Sequence, residues 1–429
     1  MRRLCLVAAA LAALTIQAKA ADVRGVTDKE IVIGTYTDLS GVTAMWGVNN
    51  SNSWRMAFDE ANAAGGINGR MIKYIVEDNQ YQVPRSVQAM NKLINLDHIF
   101  FAVANGGTPM NNATMPDQLA KGVPNVFPLT SARSMYEPFN HLKFGLAASY
   151  YDQIRAGLKY FVEQRGKKTI CSMAQDTDFG RDVTDGVRDE LKALNIKLAG
   201  ETLHKPTDTD FSASVQRLRD VNCDLIVFGT IVRDTIQIIS AIRKVGWNVE
   251  MMGQFASYDE AVAEMAGGGS EGFYSMSAVV FATGEDAPAA AQAFAKKYKA
   301  LYGRDPNMAA QLGYTGASMV ILALKNAGPG DLIMPRQRND LPETAGINQV
   351  LGSACALCCW GGRTPTPKPA DRLFGRHDFT SSPQTDSTRP MLESKQSGTA
   401  FLGFYATTRV GPVLAPQASR RPFLSRSHG

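Results

Sequence analysis

Residues 31 to 78 read IVIGTYTDLSGVTAMWGVNNSNSWRMAFDEANAAGGINGRMIKYIVED, and this stretch decides the fold. It opens with IVIGTY, an apolar run typical of a buried parallel strand. The residues that follow carry apolar side chains at helical spacing, at Trp54, Ala57, Phe58 and Ala61. Two glycines can end this helix, and Asn68-Gly69 suits a tight turn into the strand MIKYIVED. The stretch therefore predicts a complete βαβ unit.

Strand and helix patterns keep alternating after this unit, which predicts an α/β protein. The first set continues through IFFAVA and NVFP, the segment HLKFGLA interrupts it, and a second set runs from a helix at 150–165 to the strand VEMMG. We interpret the segment GFYSMSAVVF as the return crossing, in which the chain passes from the second lobe back to the first. The helices near 287–302 and 308–327 should then pack on the first lobe. We therefore predict two doubly wound lobes joined by a hinge, with the ligand at the carboxyl ends of the strands.

The charge of the chain excludes one class of function. The formal net charge is +5, but residues 21–328 hold 30 Lys and Arg against 33 Asp and Glu, a net charge of −3. A mildly acidic body offers no basic stripe for a phosphate backbone, so we predict no nucleic-acid partner.

The first 20 residues have the pattern of a secretory signal peptide. Arg2 and Arg3 precede an apolar run from Leu4 to Ile16, and Ala18-Lys19-Ala20 is typical of a cleavage site. We therefore expect a periplasmic protein released from its leader. In such an oxidising compartment Cys171 and Cys223 can form a disulfide, although two buried thiols are the preferred interpretation.

The tail at 329–429 differs in kind from the rest of the chain. It holds 11 of the 20 prolines and three of the six cysteines, without helical or strand periodicity. We interpret it as an out-of-frame reading or as disordered, with a genuine fused extension as the alternative. Cys355-x-x-Cys358-Cys359 has metal-ligand spacing, but no second ligand pair accompanies it, so no metal site is predicted.

No catalytic signature is present. The sequence contains no G-x-S-x-G, H-E-x-x-H or Walker motif, and its five histidines show no ligand spacing. We therefore predict a protein that is not an enzyme and needs no cofactor. A secreted α/β hydrolase is the competing class, weakened by the missing nucleophile elbow.

Two segments of the chain resemble the periplasmic solute-binding proteins of branched-chain amino-acid ABC importers. They are VTDKEIVIGTYTDLSG at the first strand and EDNQ after the second. The resemblance covers residues 22–328. It implies a type I periplasmic binding protein, a monomer that closes on a small molecule and delivers it to an inner-membrane ABC permease. A ligand-sensing receptor module is the alternative. The implied division is lobe I at 21–143 and 279–328, and lobe II at 144–278.

Four loops at strand ends carry the expected binding residues. The Asn105-Gly-Gly-Thr-Pro loop leads into a helix, so its glycines, free N–H groups and Thr108 hydroxyl can cradle a carboxylate. The resemblance gives Thr108 that role and adds the Leu129 backbone and the Ser131 hydroxyl. It also implies that Trp46 covers the ligand and that Phe179 replaces a usual tyrosine. A core position for Trp46 and a plain helix cap at Thr108 remain open.

The sequence of lobe II differs from the family pattern at the positions where relatives bind the ammonium group of the ligand. Gln254 stands near the strand end that commonly carries an acid, and Thr230 stands where a tyrosine is common. A buried ammonium without a partner is costly, so we expect a carboxylate or amide ligand with an apolar or aromatic body. An amino acid would require another acid, and the candidates are Asp176, Asp178 and Asp259.

Overall fold

The computed structural model describes residues 23–327 and the backbone of one short strand at Tyr405–Ala406. The predicted signal peptide, the remainder of the predicted tail and the Cys355 to Cys359 motif lie outside the described residues. No helix in the described part of the chain is long and apolar enough to cross a bilayer.

Lobe I contains a parallel sheet with the strand order β2-β1-β3-β4-β5. Its elements, in chain order, are β1 Glu30–Thr37, α1 Ala44–Ala63, β2 Met71–Asp78, α2 Val83–Asn95, β3 Phe101–Val103, α3 Thr108–Ala120, β4 Asn125–Val126 and β5 Lys143–Phe144. The opening βαβ unit is therefore present as predicted. The segment HLKFGLA supplies the fifth strand.

Lobe II repeats the architecture in a sheet with the order β11-β10-β9-β8-β6-β7. Its elements are α4 Tyr150–Glu163, β6 Ile170–Gln175, α5 Asp178–Ala193, β7 Gly200–His204, α6 Ser212–Asp220, β8 Leu225–Gly229, α7 Val232–Lys244, β9 Glu250–Gly253, α8 Glu260–Ala263 and β10 Phe273–Ser277. β6 to β10 run parallel, and β11 Tyr405–Ala406 pairs antiparallel with β10. The predicted pair of doubly wound lobes is confirmed.

The segment GFYSMSAVVF is not wholly a crossing. Its first half is β10, and Phe273, Tyr274 and Ser275 pair in parallel with Met251, Met252 and Gly253 of β9. The open edge of β9 presents backbone groups that need partners, and β10 satisfies them before the chain leaves the sheet.

Two C-terminal helices, α9 Ala289–Tyr302 and α10 Met308–Asn326, pack on lobe I as predicted. Glycine permits the closest approach, because a Cβ at Gly313 would lie 2.5 Å from the Asn50 carbonyl oxygen on α1. The Asn50 amide also donates to the Ala309 carbonyl at 3.0 Å, and the Tyr298 hydroxyl lies 2.6 Å from Asn49 Oδ1. These contacts tie the end of the described chain to α1.

Cys171 and Cys223 form a disulfide, so the preferred interpretation as two buried thiols is wrong. Cys171 lies on β6, whereas Cys223 lies just before β8 rather than within it, and their Cα atoms are 5.9 Å apart. That separation suits a disulfide, but it depends on how β6 and β8 pair, which the spacing of the cysteines does not reveal.

We predict that the disulfide stabilises lobe II by about 2 to 4 kcal/mol, because it constrains the unfolded chain across a sequence separation of 52 residues. Urea unfolding of Cys171→Ala/Cys223→Ala should show this loss relative to the wild type. Reductant should lower the wild-type midpoint and leave the double variant unchanged. A wild-type midpoint that is insensitive to reductant would contradict the prediction.

Candidate ligand-binding cleft

A cleft of about 330 Å³ lies between the lobes, where the carboxyl ends of both sheets face each other. This is where doubly wound sheets bind ligands. The wall from lobe I includes Thr37, Val42, Met45, Trp46, Trp54, Tyr81, Gly107, Thr108, Phe127, Leu129, Thr130 and Ser131. The wall from lobe II includes Tyr150, Phe179, Ile231, Arg233, Ile236 and Phe255. The cleft is therefore mainly apolar and aromatic, with hydroxyl groups and one charge.

That one charge belongs to Arg233. Among the described residues, no Asp, Glu, Lys or His lines the cleft. No group of three or more His, Cys, Asp or Glu in the described part of the chain could hold a metal ion. The cleft wall thus carries one cation, which is paired with Asp234 behind it, and offers no carboxylate to a ligand.

The loop that carries Trp46 is held by the buried carboxylate of Asp38. Its Oδ1 atom accepts hydrogen bonds from the backbone N–H groups of Ser40 and Gly41, and its Oδ2 atom accepts from both the backbone and the hydroxyl of Thr43. Trp46 follows at the start of α1 and meets the edge of Phe255 from lobe II, with ring centroids 5.3 Å apart. This aromatic pair closes one side of the cleft.

The Trp46 indole N–H is buried and has no hydrogen-bond partner among the described residues. The same holds for the Thr37 hydroxyl, at the end of β1. A Cβ at Gly106 would lie 2.9 Å from that hydroxyl, so the absence of a side chain there keeps the space beside it open. Buried polar groups are rarely left unpaired, and both of these groups lie in the cleft wall.

The glycine-rich loop before α3 places Thr108 as the first residue of the helix. Gly107 has φ +88°, a conformation that favours glycine, and its neighbour Gly106 pairs with Leu129 as an isolated parallel bridge. The Thr108 hydroxyl lies 2.6 Å from the Thr130 hydroxyl, so two loops present adjacent hydroxyl groups. Thr108 does not cap its own helix through its side chain, which leaves the alternative of a plain N-cap without support.

The backbone of Leu129, predicted to help hold the ligand, has backbone partners of its own. Leu129 lines the cleft, but its N–H donates to the Asn105 carbonyl at 3.0 Å, and its carbonyl accepts from Gly107 N–H at 3.4 Å. The β3 and β4 loops thus pair with each other through this residue. Ser131 lies in the wall beside it, and its carbonyl accepts a 2.8 Å hydrogen bond from Tyr150 N–H.

Two predicted residues of lobe II lie behind the wall rather than in it. Thr230 and Gln254 are fully buried, and neither lines the cleft. The Thr230 hydroxyl pairs with Thr235 at 2.6 Å, and the Gln254 side chain bonds the Thr230 carbonyl and the Ala256 N–H. Their successors, Ile231 and Phe255, face the cleft instead. Thr230 and Gln254 thus do not line the cleft, and the residue after each of them does.

The three acids suggested as ammonium partners also lie outside the lining. Asp178 accepts a 2.9 Å hydrogen bond from Asn112 of lobe I, and the side chain of Asp176 is 61% exposed. Asp259 caps α8 and accepts a 3.1 Å hydrogen bond from Asn307. Asp178 and Asp259 thus accept hydrogen bonds that join separate segments of the fold.

Two tyrosines and Arg233 line the cleft without having been predicted from sequence. Burial raises the pKa of Tyr81 and of Tyr150, so both hydroxyls remain protonated and can donate. The one available signal for Arg233 is its place just after the strand DLIVFG, where a charged side chain at a strand's carboxyl end stands out. Phe179 lies in the wall as expected and contacts the Tyr150 ring edge at 5.1 Å.

Comparison with known proteins agrees with this architecture. The family model described as periplasmic binding protein matches residues 30–342, well over half of the chain. The chain belongs to the periplasmic binding protein family. This is a family of binding proteins rather than of enzymes, which confirms the prediction from the missing catalytic motifs. The match continues past residue 328, so similarity to the family extends into the segment predicted to be a non-family tail.

More specific similarities are distant. The chain is 24% identical to the Leu/Ile/Val-binding protein of Citrobacter freundii over 244 residues, covering 57% of this chain and 66% of that relative. A fatty acid ABC transporter substrate-binding protein from Thermomonospora curvata superposes with a TM-score of 0.66 at 22% identity, covering 77% of this chain and 81% of that one. A Rhodopseudomonas palustris solute-binding protein in complex with 3,4-dihydroxy benzoic acid superposes with a TM-score of 0.62 at 17% identity. The match covers 76% of this chain and 84% of that one. The structural likeness establishes the fold alone.

Proposed function

We propose that this periplasmic binding protein is the solute-binding subunit of an ABC importer and takes a carboxylate or amide with an apolar or aromatic body. It acts as a monomer in the periplasm, closes on the solute and presents it to an inner-membrane permease. The observation that carries the proposal is the lining of the cleft, which combines aromatic walls, hydroxyl donors and one arginine with no acid among the described residues.

The polar groups of lobe I suit an acceptor oxygen. The α3 helix begins at the cleft, and the hydroxyls of Thr108, Thr130 and Ser131 lie at the same edge of the sheet. Helix N-termini and hydroxyl donors together stabilise carboxylate or carbonyl oxygens. Trp46, Phe179 and Phe255 provide the apolar surface for the rest of the ligand.

The relatives' names support a range of solutes rather than one. The Citrobacter freundii relative is named for leucine, isoleucine and valine, whereas the two structural neighbours are named for a fatty acid and for a dihydroxybenzoic acid. The latter two ligands are carboxylic acids without an ammonium group. A cleft without acids favours that kind of ligand for this chain.

The test is a thermal-shift and calorimetric screen of amino acids, aliphatic and aromatic carboxylates, their amides and neutral sugars. We expect saturable binding of a carboxylate or amide without turnover, and a raised unfolding temperature. Binding of sugars alone, or of no member of the screen, would remove the proposal.

Within this site, we predict that Thr108→Val and Ser131→Ala weaken binding of the tightest solute by about 0.5 to 3 kcal/mol each, since each removes a donor to the ligand oxygen. Thr230→Val is the matched control, because its hydroxyl pairs with Thr235 behind the wall. That variant should keep the ligand affinity within about twofold while losing stability. Calorimetric titration measures the affinities. Unchanged binding in both Thr108→Val and Ser131→Ala would show that these hydroxyls do not hold the ligand.

A further inference from the structure

We propose that Arg233 contacts the ligand from lobe II and selects anionic carboxylates over neutral amides of the same shape. The inference rests on the proposed function and narrows it, because that function allows either kind of ligand. Its basis is the position of Arg233 as the one charged residue among the described residues of the cleft lining.

The guanidinium group of Arg233 is fixed on one side. Its Nε and Nη2 donate to Asp234 Oδ1 at 2.9 and 2.5 Å, and its Nη2 also donates to the Pro206 carbonyl at 2.6 Å and to the Asp208 carbonyl at 3.3 Å. The Nη1 amino group has no partner in the part of the chain that the structure describes. Because the guanidinium is planar and its other nitrogens are held, Nη1 keeps N–H groups in a fixed orientation on a residue that lines the cleft.

Asp234 positions this guanidinium and is itself anchored. It is fully buried, its Oδ2 accepts from Gln175 Nε2 at 2.7 Å, and His204 Nε2 lies 3.2 Å from the same oxygen. The carboxylate is therefore held from β6 and β7 while its other oxygen holds Arg233. This arrangement gives Arg233 a defined orientation before any ligand arrives, which lowers the entropy cost of binding.

Arg233 lines the same cleft as the start of α3, together with Tyr81, Gly107 and Thr108. The Tyr81 ring would lie 3.1 Å from a Cβ at Gly107, in the loop before α3. We infer that a carboxylate held by the start of α3 in lobe I also meets the guanidinium of lobe II, because both line one cleft of about 330 Å³. Binding of the anion would link the two lobes.

The chemistry at this end separates acids from amides. A carboxylate offers acceptors on both oxygens, which match the arginine N–H, the hydroxyls and the start of the helix. An amide replaces one oxygen with an NH₂ group, which cannot accept from the arginine N–H and carries no charge to pair with the guanidinium. A site built this way should reject the amide, and we expect a preference for the acid of about 10- to 100-fold.

Isocaproate and isocaproamide provide the test, with benzoate and benzamide as an aromatic pair. The dissociation constants of each pair are measured by calorimetry at neutral pH for the wild type and for Arg233→Gln. We expect the preference for the acid to fall to within about threefold in the variant, because a neutral side chain no longer distinguishes the two ligands. A merely structural role for Arg233 would weaken both ligands and leave their ratio unchanged.

Two further variants control the experiment. Arg233→Gln/Asp234→Asn removes the buried pair together, so no unpaired carboxylate destabilises lobe II, and this variant should also lose the preference. Arg188→Gln makes the same charge change at an exposed arginine that pairs with Glu201, and it should keep the wild-type ratio. An acid-to-amide ratio unchanged in both Arg233 variants would overturn the inference while leaving the proposed function intact. A wild type that binds no member of either pair would overturn the inference, and the proposed function falls with it only if the wider solute screen also finds no carboxylate or amide that binds.

Discussion

Isocaproate, which is leucine without its ammonium group, should bind this protein about a thousandfold more tightly than leucine. No Asp or Glu lines the described cleft, and its one charged residue is Arg233, a cation. Leucine would have to bury an ammonium without a partner, at a cost of several kcal/mol, and each 1.4 kcal/mol changes the affinity tenfold. Calorimetric titration of both compounds into ligand-free protein measures the difference.

Phe255→Glu is the variant that should reduce this difference. Phe255 faces the cleft from the β9 loop, whereas Gln254 beside it is fully buried, so an acid at 255 can reach the ligand. We expect leucine to gain affinity relative to isocaproate in this variant, even though the contact with Trp46 is lost. Tight binding of leucine by the wild type, with isocaproate weak, would show that an acid outside the described lining serves the ammonium.

Gly180→Ala should destabilise lobe II by about 3 to 5 kcal/mol and abolish ligand binding. Gly180 is the third residue of α5, and a Cβ there would lie 1.8 Å from the Gln175 carbonyl oxygen at the end of β6. Neither atom belongs to a flexible side chain, so the β6–α5 turn must shift. Phe179, which precedes Gly180 and lines the cleft, would move with it.

Urea unfolding and titration with isocaproate measure the two effects of Gly180→Ala. Gly145→Ala is the matched control, since a Cβ at Gly145 meets no atom within 4 Å and its φ is not positive. That control should stay within about 0.5 kcal/mol of the wild type. A Gly180→Ala protein with the wild-type midpoint would mean that the turn accommodates the methyl group without strain.

Much of the cleft in lobe I follows from local sequence. The Gly106-Gly107-Thr108 start of α3 was predictable because glycine, a helix start and a hydroxyl are all features of consecutive residues. Trp46 of lobe I and Phe179 of lobe II were implied by the family resemblance instead, and both line the cleft. Their roles as ligand contacts stay predictions until a ligand is measured.

The lobe II wall was predicted less well because side chains alternate at strand ends. A shift of one residue moves a side chain from the cleft to the space behind it, and Thr230 and Gln254 were each displaced in this way. Arg233 was missed because its orientation depends on Asp234, which Gln175 and His204 hold from separate strands.

The amino-acid sequence by itself predicted the alternation of apolar strands and helices, the βαβ opening and the lack of catalytic motifs. Each of these depends on periodicity and turn chemistry within a few residues. Tertiary structure alone paired Cys171 with Cys223, placed β10 beside β9, and left Arg233 as the single charge in the described cleft lining. These features join residues from strands that are distant in the chain. Their geometry is set by how the sheets pack and how the two lobes meet, and no local pattern encodes it.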